Sequence, residues 1–315
     1  MKILVAGEIN PDLIMSGCNA PPEPGKEIFA QNYELTLGSS SAICAVGLAR
    51  LGNEVVFVGT VGADANGDFC LTMLNRERVD VTWVSRREDL TTGITVSISS
   101  RRDRSLVTFA GAMSRLSAGD ISSETFAGSR HLHVSGYFLQ TGLHSGLPDL
   151  FRRARAAGLT TSLDCGYDPT ETWDSGLLAV LEETDVFFPN EIETRGITGQ
   201  SDPERGLQLL ENGRTLLIEK LGSGGCIARH CGRTICIPAF PVEVVDTTGA
   251  GDSFVAGFLH GWLRRQDLTA CLRLASACGA LSTRGIGGTG AQPRLQEVET
   301  FLAAHPEKEA AKCAY

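Results

Sequence analysis

Short runs rich in β-branched residues alternate with runs of helical spacing along most of this chain, and no other feature limits its folding choices so strongly. Ile3–Ala6, Val55–Val58, His131–Val134, Thr160–Leu163, Val186–Pro189 and Leu216–Glu219 read as short buried strands. Between them Ser41–Leu51, Asp68–Glu77, Gly146–Ala157, Ser175–Glu183 and Pro203–Asn212 carry apolar residues at helical spacing. Strands that are apolar on both faces need helices above and below them. The order therefore predicts an α/β fold with a mainly parallel central sheet and helices on both faces. Ligands of such sheets bind beyond the carboxyl ends of the strands.

Two regions break the alternation. Ile28–Leu37 has the period of a half-exposed antiparallel strand, while Gly93–Ser99 and Ser105–Ala110 flank the charged turn Arg101–Arg104 as a hairpin. With Asp12–Ser16 they predict a small β-sheet standing off the main one, built from about residues 12–38 and 91–112. Such a sheet serves as a lid that excludes water, or equally as the contact in a homodimer, because an exposed sheet needs cover. Residues 1–305 are expected to form one domain, with a polar, frayed tail over 306–315.

A chain of 315 residues can build one large α/β domain. Its 28 basic and 37 acidic side chains leave a formal charge of −9, which argues against nucleic acid as a partner and offers no basic face to a membrane. No apolar run approaches the roughly 18–20 residues that span a bilayer. Met1–Gly7 is too short for a signal sequence and reads as a first strand, so a cytoplasmic protein is expected. The ten cysteines are scattered, and reduced thiols are expected. Cys226, Cys231 and Cys236, with His230 adjacent, lack the spacing of a zinc site and read as small packed side chains.

The segment Asp246-Thr-Thr-Gly-Ala-Gly-Asp-Ser-Phe254 carries the chemistry. It lies between the β-like Val242–Val245 and a helical face of Phe254, Val255, Phe258, Leu259, Trp262 and Leu263. Gly249, Ala250 and Gly251 thus stand where a strand turns into a helix, so backbone N–H groups can approach a ligand and the helix dipole favours phosphate. Asp252 sets a carboxylate inside that cradle. It makes sense as the base that takes the proton of a hydroxyl attacking the phosphate. The plainer reading makes Asp246 and Asp252 helix caps and the glycines a turn.

Neither GxxxxGK[ST] nor a GxGxxG after the first strand is present, which argues against P-loop enzymes and dinucleotide dehydrogenases. The chain instead resembles the ribokinase-like sugar kinases, the phosphofructokinase-B family, from Lys2 to about Pro293. Asp246–Asp252 looks like that family's C-terminal signature. Leu48-Ala-Arg-Leu-Gly52 with Gly59-Thr-Val-Gly-Ala-Asp64 and Gly67 looks like the N-terminal one. Phe188-Pro-Asn-Glu-Ile-Glu193 resembles the NxxE segment, and Asn10-Pro-Asp12 the early substrate-binding Asn-x-Asp.

The resemblance implies an ATP-dependent kinase with Asp252 as base and the N–H groups of Gly249, Ala250 and Gly251 stabilising the transferred phosphoryl. It implies Mg²⁺ organised by Asn190 and Glu193 through water, since Mg²⁺ keeps part of its hydration shell. Taken alone, Asn190 and Glu193 read as a helix cap and the partner in a capping box. Lys220, Gly222 and Gly224 would line the nucleotide with Thr247, while Ser276 and Gly279 in Ala275–Ala280, and Gly285–Gly290, close around the adenine. Asp246 and Thr248 match positions that in many members bind a monovalent cation such as K⁺. Asn10, Asp12, Gly38, Ser39 and Ser40 would hold the acceptor, with Ser135 and Tyr137 at a strand end facing the cleft.

The acceptor side departs from the family pattern. In Gly38-Ser-Ser-Ser-Ala-Ile43 a serine replaces the second glycine and Ile43 replaces an asparagine, removing a hydrogen bond to a sugar hydroxyl. Asp164-Cys-Gly-Tyr-Asp168 before Trp173 has Asp168 where kinases of acidic sugars carry arginine, which disfavours an acidic acceptor. Arg102 and Arg104 could restore positive charge, though solvated hairpin arginines are commoner. Met113 replaces another frequent asparagine and reads as packing. A small neutral sugar, a pentose or ketohexose, is the expected acceptor; a nucleoside is the alternative, with Ile43 against an apolar face. A non-catalytic sugar- or nucleotide-binding regulator predicts a missing base or broken anion loop, and both are present.

Overall fold

The computed structural model describes residues 1–100 and 104–306, with the side chains of Ser100 and Arg104 left out of the description. Arg102 and the tail beyond 306 lie outside the described residues.

The strands of the sequence pattern assemble in a nine-stranded sheet. Its members are β1 (Lys2–Ala6), β4 (Glu54–Gly62), β5 (Val79–Arg87), β8 (His131–Val134), β9 (Thr160–Leu163), β10 (Val186–Phe187), β11 (Leu216–Lys220), β12 (Cys226–His230) and β13 (Arg233–Ile237). Their order is β13-β12-β11-β10-β9-β8-β1-β4-β5. Every pairing from β11 to β5 is parallel; β11–β12 and β12–β13 are antiparallel. Alternate residues of β1 point to opposite cores, Ile3 and Val5 to one and Leu4 and Ala6 to the other. Helices α1 (Ser40–Arg50), α2 (Ala65–Arg76), α7 (Ala250–Leu263), α8 (Leu268–Ser282) and α9 (Leu295–Ala304) contribute to the first core. Helices α3 (Leu147–Ala156), α4 (Leu177–Leu181) and α6 (Pro203–Leu210) contribute to the second. Helix α5 (Glu191–Thr198) packs on α6.

A separate four-stranded sheet has the order β3-β2-β6-β7, from β2 (Pro11–Cys18), β3 (Asn32–Leu37), β6 (Ile94–Ser100) and β7 (Arg104–Phe109). Its two faces differ in character. Leu35, Leu13, Val96 and Val107 are register partners on one; Thr36, Asp12, Thr95 and Thr108 are register partners on the other.

Several expectations need correction. Val242–Val245 forms no strand; Val244 and Val245 are 56% and 58% exposed, and Val245 N donates to Thr283 O across to the end of α8. The sheet ends instead at β13, so this run has no strand to join. The reduced-thiol expectation holds for eight cysteines, but Cys236 is disulfide-bonded. Among the described residues no helix is long and apolar enough to cross a membrane.

Candidate active site

The N-terminus of α7 organises the site. Gly249 caps it at φ 72°, a left-handed conformation that costs a residue with a side chain about 1–2 kcal/mol. Space demands the same choice, since a Cβ on Gly249 would lie 2.7 Å from Gly288 Cα. Ala250 and Gly251 open the helix, leaving first-turn N–H groups without helical partners. Asp246 ties this turn to the following loop. Its Oδ1 accepts from Thr248 N at 2.9 Å and Thr248 Oγ1 at 2.8 Å, and its Oδ2 accepts from Gly287 N at 2.9 Å. Thr247 is exposed beside them, its carbonyl accepting from Ala250 N at 3.2 Å.

Asp252 sits in the first turn of α7 and is 9% exposed. Burial raises its pKa well above the carboxylate range and Asp164 adds to the rise; Lys220 and the Ser40 hydroxyl, which hydrogen-bonds the carboxylate, oppose it. Lys220, at the end of β11, is ion-paired with Asp164, just past β9. Burial alone would lower the pKa of Lys220, but Asp164, Glu193 and Asp252 raise it. A Cβ on Gly251 would meet Lys220 Nζ at 3.5 Å, so the ammonium hangs over the glycine turn. A phosphate arriving there meets both N–H groups and a fixed cation.

The other wall runs from the end of β1 to the start of α1. Ser39 has φ 70° and donates its hydroxyl to Asn10 Oδ1 at 2.6 Å. It occupies backbone space that favours glycine, so the serine is held there against strain. Asn10 Nδ2 donates to Asp12 Oδ1 and Thr95 Oγ1, each at 3.3 Å. A Cβ on Gly38 would come 2.0 Å from Asp12 Oδ1, so the Asp12 carboxylate rests on that glycine. Asn10, Asp12, Gly38, Ser39 and Ser40 therefore come together, and Ser40 joins them to Asp252.

Other expected contacts are directed elsewhere. Ser135 is 1% exposed and its hydroxyl bonds His133 Nε2 at 2.6 Å instead of facing the cleft; its carbonyl accepts from Ser41 Oγ at 3.3 Å. Tyr137 is fully buried and donates to Ser175 O at 2.6 Å. Asp168 accepts from Thr170 N, Thr170 Oγ1, Thr172 Oγ1 and Trp173 N, so it closes its own loop and repels nothing in the cleft. Ile43 is buried beneath the anion turn, where a Cβ on Gly288 would approach its Cδ1 to 2.2 Å. It is a packing residue for that turn, as Met113 is at 2% exposure in the core.

Around the expected nucleotide region, Asn190 and Glu193 form a complete capping box on α5. Asn190 N and Nδ2 donate to Glu193 Oε2 and Oε1 at 2.9 and 2.6 Å, and Glu193 N donates to Asn190 Oδ1 at 3.0 Å. Burial pushes the Glu193 carboxyl up to about 7 against the pull of Lys220. Asn190 also bridges to Lys220 as a sheet extension. Gly222 and Gly224 form an exposed turn after β11. Gly279 lets α8 close on α7, its would-be Cβ 3.1 Å from Ala250 O, and Ser276 Oγ lies 3.7 Å from Cys226 Sγ. Two acids of the site escaped the sequence reading as site residues, Glu8 and Asp164. Asp164 directly follows β9 and Glu8 lies two residues past β1, at the strand ends where an open α/β sheet keeps its functional groups.

Comparison with known proteins agrees with this geometry. The family model for pfkB family carbohydrate kinases matches residues 2–295. The chain is similar to a ribokinase from Haemophilus influenzae, 29% identical over 95% of this chain and 98% of the relative. It is similar to an ATP-dependent ribose-1-phosphate kinase from Halopiger xanaduensis, 27% identical over 96% and 98%. Among solved structures, an E. coli protein provisionally described as ribokinase II, in complex with ATP and Mg²⁺, superposes with a TM-score of 0.83 at 26% identity, covering 96% of this chain and 99% of that one.

Proposed function

Because the chain belongs to the pfkB family of carbohydrate kinases, and so is a phosphotransferase with a hydroxyl acceptor, we propose that it moves the γ-phosphoryl group of ATP to a small neutral sugar, a pentose or ketohexose. Asp252 is the base in this reading. The observation that carries it is the position of Asp252, buried between the Gly249–Gly251 turn and the Ser39–Ser41 segment, with Lys220 alongside. The acceptor lies against Asn10, Asp12, Gly38, Ser39 and Ser40. Its hydroxyl gives a proton to Asp252 while the turn N–H groups and Lys220 meet the charge on the transferring group. The pKa elevation of Asp252 suits a base, because a weakly basic carboxylate would take that proton poorly.

Mg²⁺ would be held by ATP and by water bonded to Asn190 and Glu193. The residues fit that role and no closer one: all are hard oxygen donors, but among the described residues no three metal-ligating side chains converge. When bound, the ion neutralises phosphate charge. Gly222, Gly224, Thr247, Ser276 and Gly279 belong to the nucleotide side, and a monovalent cation at Asp246 and Thr248 completes the proposal. The small sheet, polar on its Asp12 face, acts as the lid, and its apolar outer face pairs with a second copy in a homodimer. A cytoplasmic location follows from the use of ATP.

The test is turnover of Asp252→Asn with ATP and a panel of sugars and nucleosides. The folded variant should lose about 10²–10⁴-fold in kcat. Full activity would remove Asp252 from the chemistry, and a preference for nucleosides would replace the sugar acceptor.

A further inference from the structure

The acceptor wall holds a carboxylate that the transfer step does not use. Glu8 follows β1 and is 2% exposed. Helix α1 begins at Ser40 with no acidic residue in its first turn and no side-chain cap from Ser39. Its N-terminal N–H groups carry the positive end of the helix dipole beside Asn10 and Asp252, a place that would attract an anionic ligand. Glu8 fills that place from another segment. Its Oε1 accepts from Ser41 N at 3.2 Å and its Oε2 from Ser41 Oγ at 2.7 Å. The surroundings are shaped for this pairing: a Cβ on Gly136 would come 2.6 Å from Glu8 Oε1, and one on Gly7 would come 1.9 Å from Ser41 Oγ. Asp164 and Asp252 share the neighbourhood electrostatically, and the ammonium of Lys220 is already paired with Asp164.

We infer that Glu8 is a specificity-determining residue, which closes the N-terminus of α1 to anionic groups and so directs the kinase to unphosphorylated acceptors. The inference rests on the reading of the chain as a sugar kinase whose acceptor lies beside Asp12. Kinship leaves the matter open, since relatives of similar identity are named for free ribose and for ribose 1-phosphate. The pocket decides it. Burial raises the Glu8 pKa and its hydrogen bonds from Ser41 oppose the rise. A phosphate on the acceptor must displace this carboxyl or share a poorly solvated pocket with it, Asp164 and Asp252, whereas sugar hydroxyls hydrogen-bond carboxyl oxygens without that cost.

The experiment compares kcat/KM, with Mg·ATP, for pairs in which the phosphorylated member keeps a free primary hydroxyl: D-ribose against D-ribose 1-phosphate, and D-fructose against each of its 1- and 6-phosphates. The wild-type chain should favour the free sugar of its preferred pair by about 10²-fold or more, and Glu8→Gln, which keeps the volume and the Ser41 contacts, should shrink that ratio about tenfold. Glu8→Asp, which keeps the charge, should retain most of the ratio. A wild type that prefers the phosphorylated member, or an unchanged ratio in Glu8→Gln, overturns the inference. If no sugar or sugar phosphate is turned over, the kinase reading fails separately. Calorimetric titration with inorganic phosphate then still tests Glu8: about tenfold tighter binding by Glu8→Gln supports it, and equal binding overturns it.

Discussion

At the scale of single residues, carboxylates differ through what surrounds them. Asp168 hydrogen-bonds four groups of its own loop, Asp252 faces a cleft, and Glu219 is 1% exposed with its Oε2 unpartnered. Burial pushes the Glu219 carboxyl up to about 7 from an ordinary 4.5, with Thr194 pulling the other way. The folded state therefore binds more protons than the unfolded chain between those values. Its contribution is fully present below about pH 4.5 and is lost as pH rises through about 7. Glu219→Gln should flatten this fall and leave the protein more stable at pH 8 by roughly 2–4 kcal/mol. Urea unfolding at pH 5 and pH 8 measures it; an unchanged pH slope would sink the account. The places of Gly249 at the cap and Asp252 in the first turn of α7 were legible because local spacing creates them. Those of Ser135, Asp168 and Ile43 were not, because their partners are chosen by packing.

At the scale of elements, the glycine turn before α7 is the sharpest case. Gly249→Ala must hold a side chain at φ 72° and meet Gly288 Cα at 2.7 Å. The turn should shift, with kcat/KM falling about 10²–10³-fold, as when a phosphoryl-stabilising donor is lost. A variant with normal kinetics would show that the turn tolerates the strain and does not set the donor positions. The Asn190–Glu193 box shows why two sequence readings can coexist: the same atoms that cap α5 also face Lys220 and Asp164. Element type was recovered well where the apolar pattern was strong, as in β1, β4 and α3. It failed at Val242–Val245, a β-branched run that found no strand partner, and at the β12–β13 hairpin, whose strands are short and mix charged residues with apolar ones.

At the scale of the molecule, the small sheet joins the acceptor site to a surface that wants cover. Asp12 belongs to its polar row, while Tyr33, Val107 and Phe109 are 75%, 63% and 54% exposed on the other side. A face of that kind is costly in water and typical of an interface. We expect a dimer in sedimentation experiments and dissociation to monomers in Leu35→Lys/Val107→Lys. A monomeric wild type at micromolar concentration would remove the dimer from the proposal.

The sequence by itself determined the α/β architecture, the anion turn and its carboxylate, and the family, because each is written in residues close together along the chain. Only the tertiary structure decided which groups surround Asp252 and the start of α1. Glu8, Ser41 and Asp164 come from three separate segments, and their pairing depends on the order in which β1, β8 and β9 lie in the sheet. Local spacing encodes a turn or a cap directly, whereas a buried charge is disposed of by whichever donors packing brings within reach.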